Sequence, residues 1–210
     1  MTSADLVSIA PLIAAVLTAA AILLVDLVRP GRSDAAIGTA LVGLAATAVV
    51  VILVGREGST AFGGSYTVDA LTTFLDILFI AIIALTIVFA PDYLLPRSLP
   101  IAEFAIVLVF AMTGAMLLAG SSDLLLLFLG LELMVLPGYL LAGFHKSDGY
   151  STEGAIKYFL LGSFSSAIFL FGIAFVWGLT GTTRVAEIAT KLSALGLGAC
   201  RPGSRWVSRS

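Results

Sequence analysis

Glu132 stands near the middle of DLLLLFLGLELMVLPGYLLAGF, an otherwise apolar stretch that begins at Asp123. An ionised side chain at the centre of a bilayer costs about 2.5–3.5 kcal/mol on insertion scales. Leucine at that position would span a membrane more cheaply, so the carboxyl implies charge or proton handling within the bilayer. On a helix, its face includes Leu125, Phe128, Leu129, Val135, Leu136 and Tyr139. Only Tyr139 among these is polar, so a partner for Glu132 has to come from another helix or from water. Pro137, five residues further on, removes a backbone donor and can bend the helix enough to admit water. The competing reading is a carboxyl that clasps two helices through hydrogen bonds.

Lys157 is the second candidate, at the start of the next apolar run. Glu153 precedes it by four residues, an order that supports a helix by about 0.2–0.5 kcal/mol. Lysine this close to a helix end can also extend its amine to the interface. Counted along their runs, Glu132 lies roughly 18 Å from the end of one and Lys157 about 5 Å into the other. Water or another residue is therefore expected between them. Asp76, Tyr139 and His145 are lesser candidates. Asp76 follows Asp69 by seven residues on one face of an earlier run. His145 and Lys146 form either a solvated loop pair or a point of proton uptake. Asp26 with Arg29 reads as a local pair, and Asp69 and Glu103 as interfacial caps. Gly162, Ser163, Ser165, Ser166 and Ala167 give one helix a small-residue surface suited to close packing.

The elements that must position these groups follow from composition. Apolar residues make up 60% of the chain and charged residues 11%, against about 45–50% and about 25% in soluble domains. The chain reads as a polytopic membrane protein, all-α and about six helices in number. A span needs about 20 apolar residues. Six runs qualify: 9–28, 35–54, 68–90, 101–119, 124–144 and 154–179. The third is expected to stop at Pro91, because 91–100 holds three prolines and reads as a connection. Residues 55–67 read as a polar, glycine-rich loop. Ser122 or Asp123 can cap the fifth run. Met1–Ser8 carries Asp5 and no basic residue, so the start reads as a retained helix, not a secretory signal.

Arg29, Arg32, Arg97 and Lys146 fall in loops on one side, with Arg56 and Arg184 on the other. The basic excess puts that first side in the cytoplasm and the N-terminus outside. The net charge of −2 gives no reason to expect nucleic acid. One cysteine, Cys200, excludes an internal disulfide or a cysteine-held cluster, and one histidine, His145, excludes a paired-histidine metal site. No GxGxxG or phosphate loop is present, so no cofactor is expected on this chain. Residues 193–210, SALGLGACRPGSRWVSRS, hold three arginines and no acid and read as a short, basic tail, disordered or abnormal, with a functional basic tail as the alternative.

LFLGLELMVLPGYLLAGF followed by STEGAIKYFLLGSFSSAIFLFGIAFVWGLTGT resembles the antiporter-like membrane subunits of respiratory complex I, the bacterial NADH–quinone oxidoreductase, of the subunit-N type. The match is strong over 123–182 and weaker over the four preceding helices. The resemblance implies a bundle in the bacterial plasma membrane that pumps protons, driven by quinone reduction in a distant arm. It implies that the glutamate of GLEL, Glu132, and the lysine of AIKYF, Lys157, belong to the proton path. It implies that NADH, flavin, iron–sulfur clusters and quinone sit on partner subunits, with other membrane subunits of the complex as neighbours. Residues 1–120 would then be the first four helices and 121–182 the start of the proton-translocating domain, with 183–210 the tail. The family's path continues through lysines on later helices, which this sequence does not reach, so the chain reads as truncated relative to the family. A subunit of a cation/proton antiporter, or a non-catalytic assembly scaffold, stays open as an alternative.

Overall fold

Six long helices cross side by side in the computed structural model, which describes residues 3–194. They are α2 (Ala10–Val28), α3 (Ser33–Gly55), α4 (Ala70–Leu94), α5 (Ile101–Ala119), α6 (Leu124–Ala142) and α7 (Gly149–Thr180). Short helices α1 (Ser3–Ser8) and α8 (Val185–Ala194) flank them. The all-α membrane bundle expected from composition is thus observed. Backbone groups within a bilayer find no water, so apolar runs of this length satisfy them internally by becoming helices.

Aspartates start three of the spans. Asp69 accepts from the Thr72 N–H at 2.7 Å, Asp123 from Leu125 at 2.9 Å and Asp148 from Tyr150 at 3.2 Å. Glu103 makes no such bond; Pro100 holds the corresponding position of α5. The Thr72 N–H, and then its hydroxyl, hold the exposed Asp69 carboxyl below its ordinary range. A depressed value means the cap stabilises above about pH 4 and is lost as pH falls through the folded value. Asp69→Ala is expected to cost about 1 kcal/mol at neutral pH and less in acid, read from thermal unfolding of the detergent-solubilised protein at both pH values.

Three boundaries differ from the sequence reading. The third span runs through Pro91 to Leu94, and a 3-10 turn, Leu95–Arg97, follows it. Pro91 lies in the last turn, where only one helical bond is lost, and Ala90, Leu94 and Ile101 are buried together around it. The sixth span begins at Gly149, a full turn before Gly154, because Asp148 caps it there. The loop after α3 contains an antiparallel hairpin, β1 (Ser59–Ala61) against β2 (Tyr66–Val68), in register Ser59↔Val68 and Ala61↔Tyr66. Gly63, at φ +66°, turns it. Among the described residues Asp26 and Arg29 form no ion pair. Of the segment 183–210, α8 covers 185–194, and the remaining tail lies outside the described residues.

α5 is the most enclosed span and α7 the least. α5 packs against α2, α4 and α6, and the α2–α5 core is built on small residues, Ala15, Ala19, Ala36, Ala40 and Ala105 among them. Small side chains let helix backbones approach closely, which drives association where lipid is as apolar as leucine. On the N-terminal face the hairpin stitches the loops together. Thr67 N–H donates to Gly120 at 2.7 Å, Ser122 N–H to Ser65 at 2.8 Å, and Leu124 N–H to Thr183 at 2.9 Å.

Candidate functional site

The α6 helix is read differently on its two sides. Gly130 meets α5: a Cβ there would lie 2.7 Å from the backbone nitrogen of Leu118. Glu132 is two residues on, roughly 200° around the helix, and so turns away from α5. Phe128 and Tyr139 share its face, and both meet rings of α7. Phe128 lies 6.1 Å from Phe169, and Tyr139 lies 4.9 Å from Tyr158 and 5.5 Å from Phe159. Glu132 therefore sits on the α6 face turned to α7, bracketed by these aromatic contacts.

The half-buried residues of α7 between those contacts are Gly162, Ser163 and Ser166. Gly162 is a contact in its own right, because a Cβ there would overlap the Tyr139 hydroxyl. The small-residue surface is thus used for packing at Gly162, while Ser165 and Ala167 are exposed.

Among the described residues, Glu132 Oε1 is enclosed and has no hydrogen-bond partner, and the Tyr139 hydroxyl is in the same condition. Unpaired buried polar atoms are uncommon, and each calls for a cause such as a bound water or a proton-transfer role. Neither ion pair among the described residues involves Glu132.

Lys157 is elsewhere. It pairs with Glu153 four residues earlier, and its side chain is 68% exposed. The structure therefore brings Glu132 and Tyr139 onto one face and does not bring Lys157 to Glu132. Because α7 starts a turn early and is 32 residues long, it measures about 48 Å. That exceeds a hydrocarbon core of about 30 Å.

A cavity of ≈ 720 Å³ opens beside this face at the α4–α5 and α6–α7 loops. Arg97, Glu103, His145, Lys146 and Ser147 line its mouth, and Tyr139 and Leu140 line its wall. His145 is half-buried there and Lys146 exposed. Arg97 is tied down, donating to the Tyr93 carbonyl at 2.9 Å with its guanidinium 3.9 Å from the Tyr93 ring centroid. The loop residues and Tyr139 thus share one recess, charged at its mouth and largely apolar along its wall, a link that sequence spacing alone did not provide. Asp76 stands apart on α4, 2% exposed.

Residues 121–201 match the family described as NADH:quinone oxidoreductase/Mrp antiporter, transmembrane. The chain is 36% identical over 180 residues to NADH-quinone oxidoreductase subunit N 2 of Rhizobium meliloti (strain 1021). That match covers 85% of this chain and 38% of the relative. The fold is similar to a chain of respiratory complex I from Thermus thermophilus with bound aureothin, at TM-score 0.69 and 29% identity, over 90% of this chain and 42% of that one. A chain of the archaeal membrane-bound sulfane sulfur reductase shares the fold at TM-score 0.66 and 21% identity, over 89% and 39% of the two chains. The chain thus spans under half the length of these relatives.

Proposed function

We propose that the chain belongs to the antiporter-like membrane subunits of NADH–quinone oxidoreductase, which it resembles in sequence and fold, and that it moves protons across a bacterial plasma membrane. The proton movement is coupled to quinone reduction elsewhere in a complex. The observation that carries this reading is the enclosed, unpartnered Glu132 carboxyl oxygen on the helix face that also presents Tyr139. Intramembrane ionisable groups are expensive, and one without a partner is a functional site by default.

In this reading protons come in through the recess at His145 and Lys146, pass Tyr139 by way of water, and reach Glu132. The basic loops, with Arg29, Arg32, Arg97 and Lys146, face the cytoplasm, and the N-terminus lies outside. Lys157 holds the Glu153 carboxylate in the resting arrangement and joins the path when that pair opens. Moving one charge against 100 mV requires about 2.3 kcal/mol. A single glutamate supplies no such energy, so it comes from neighbouring membrane subunits. NADH, flavin, iron–sulfur clusters and quinone belong to those partners.

The family description favours one second reading, a subunit of a multisubunit cation/proton antiporter. Deleting the gene separates the two. Loss of NADH-driven proton pumping is expected under the first reading. Intact pumping with lost sodium tolerance would replace it with the second.

A further inference from the structure

A second buried carboxyl lies outside the path just described. Asp76 sits two turns into α4 on the stripe Thr72–Asp76–Ile80, all of it buried. Its Oδ1 is enclosed and has no hydrogen-bond partner among the described residues. At the same end of the bundle is Tyr66 of β2, 1% exposed, its hydroxyl likewise enclosed and unpartnered among the described residues. The fold ties the elements that carry them to each other. The Thr72 hydroxyl donates to the Thr67 carbonyl at 3.3 Å, which ties the start of α4 to β2. The Tyr66 ring lies on Gly120, where a Cβ would come 2.6 Å from its Cζ.

Among the described residues no cation pairs with Asp76. Tyr66 is the one titratable group that β2 turns toward it. α3 carries only Asp34 and α5 only Glu103, each at the far end of its helix. On α4 itself Asp69 is the exposed cap, and Asp92 and Tyr93 lie at the opposite end. Arg56 and Glu57, just beyond α3, are exposed at the surface. A bare carboxylate in such a place is strongly disfavoured, whereas a carboxylic acid can both donate and accept.

We propose that Asp76 and Tyr66 form a second proton-binding site beneath the hairpin, in which the Asp76 carboxyl carries a proton and shares a buried water with the Tyr66 hydroxyl. A water there has the two polar partners a buried water needs. Burial first, and the Asp76 charge once that group has released its proton, hold the Tyr66 hydroxyl above its ordinary range, so the phenol stays a donor throughout working pH. When Asp76 releases its proton, its O–H bond breaks and the proton leaves on water. The carboxylate then accepts a hydrogen bond, through the water, from Tyr66. The site lies at the end of the bundle that carries the hairpin, opposite to the His145 recess, and does not depend on the role of Glu132.

Infrared difference spectroscopy of the whole chain in lipid vesicles tests this. At neutral pH a carbonyl stretch of a protonated carboxylic acid is expected. It should shift on ¹³C-aspartate labelling, vanish in Asp76→Asn, shift in Tyr66→Phe and persist in Glu132→Gln. An ionised carboxylate band in its place, or a band that ignores both the aspartate label and Tyr66→Phe, would overturn the site. The label and the Tyr66 variant give the answer even if Asp76→Asn fails to fold. Failure of the Glu132 reading leaves the Asp76 band untouched, so the two outcomes stay distinguishable.

Discussion

Glu132→Gln in the assembled complex is expected to reduce NADH-driven proton pumping to about a tenth or less, the scale on which proton-transfer groups act, while assembly is retained. Glutamine matches the size and polarity of glutamate and removes only the exchangeable proton of the carboxyl. If Glu132 were a clasp between α6 and α7, the amide would preserve most of the contact. Interhelical polar contacts in membranes contribute about 0.6 kcal/mol on average, too little to account for a tenfold change. Glu132→Asp keeps the carboxyl but withdraws it from the α7 face, so it should pump at an intermediate rate. Proton uptake by inverted vesicles, normalised to the amount of assembled complex, measures all three. Undiminished pumping by the glutamine variant would remove Glu132 from the path.

The largest effect on stability is expected at the α5–α6 seam. A Cβ at Gly114 would overlap the backbone nitrogen of Met134 and lie 2.6 Å from the carbonyl carbon of Leu133. The reciprocal Cβ at Gly130 would lie 2.7 Å from the nitrogen of Leu118 and 3.1 Å from the carbonyl oxygen of Gly114. These neighbours are backbone, which no rotamer change can move aside, so the helices themselves have to separate. Alanine in a helix gains about 1 kcal/mol over glycine, but forced overpacking costs about 1–3 kcal/mol and sometimes more. Two contacts on one seam put the cost on the winning side. Gly114→Val is therefore expected to lower stability by about 3 kcal/mol or to prevent folding, with Gly114→Ala milder. Gly38→Ala, where nothing lies within 4 Å, is the control and should be neutral or stabilising. Thermal unfolding in detergent compares them, and equal midpoints for the two alanine variants would refute the seam. The seam also bears on function, since it fixes the rotation of α6 that turns Glu132 toward α7.

Much of this was legible in the chain itself. Six apolar runs have one solution in lipid, the helix, because only there does every backbone group find a partner within its own segment. Glu132 announced itself through the cost of placing it among leucines, and Asp69 and Asp123 were readable as caps because capping is local. Asp76 was visible as a buried carboxyl, but its neighbour was not. Tyr66 is brought to the same end of the bundle by a hairpin whose pairing is a nonlocal event, in a loop whose glycines conceal two short strands. The i,i+4 spacing had already offered Glu153 as a partner for Lys157 and put water or another residue between Lys157 and Glu132, and the structure forms that local pair. Pro91 stayed inside α4 because the packing of Ala90, Leu94 and Ile101 outweighed one missing bond. Local rules thus determined which segments are helices and which residues are costly. Tertiary packing, through close backbone approach at Gly114 and Gly130, decided which costly residues face one another.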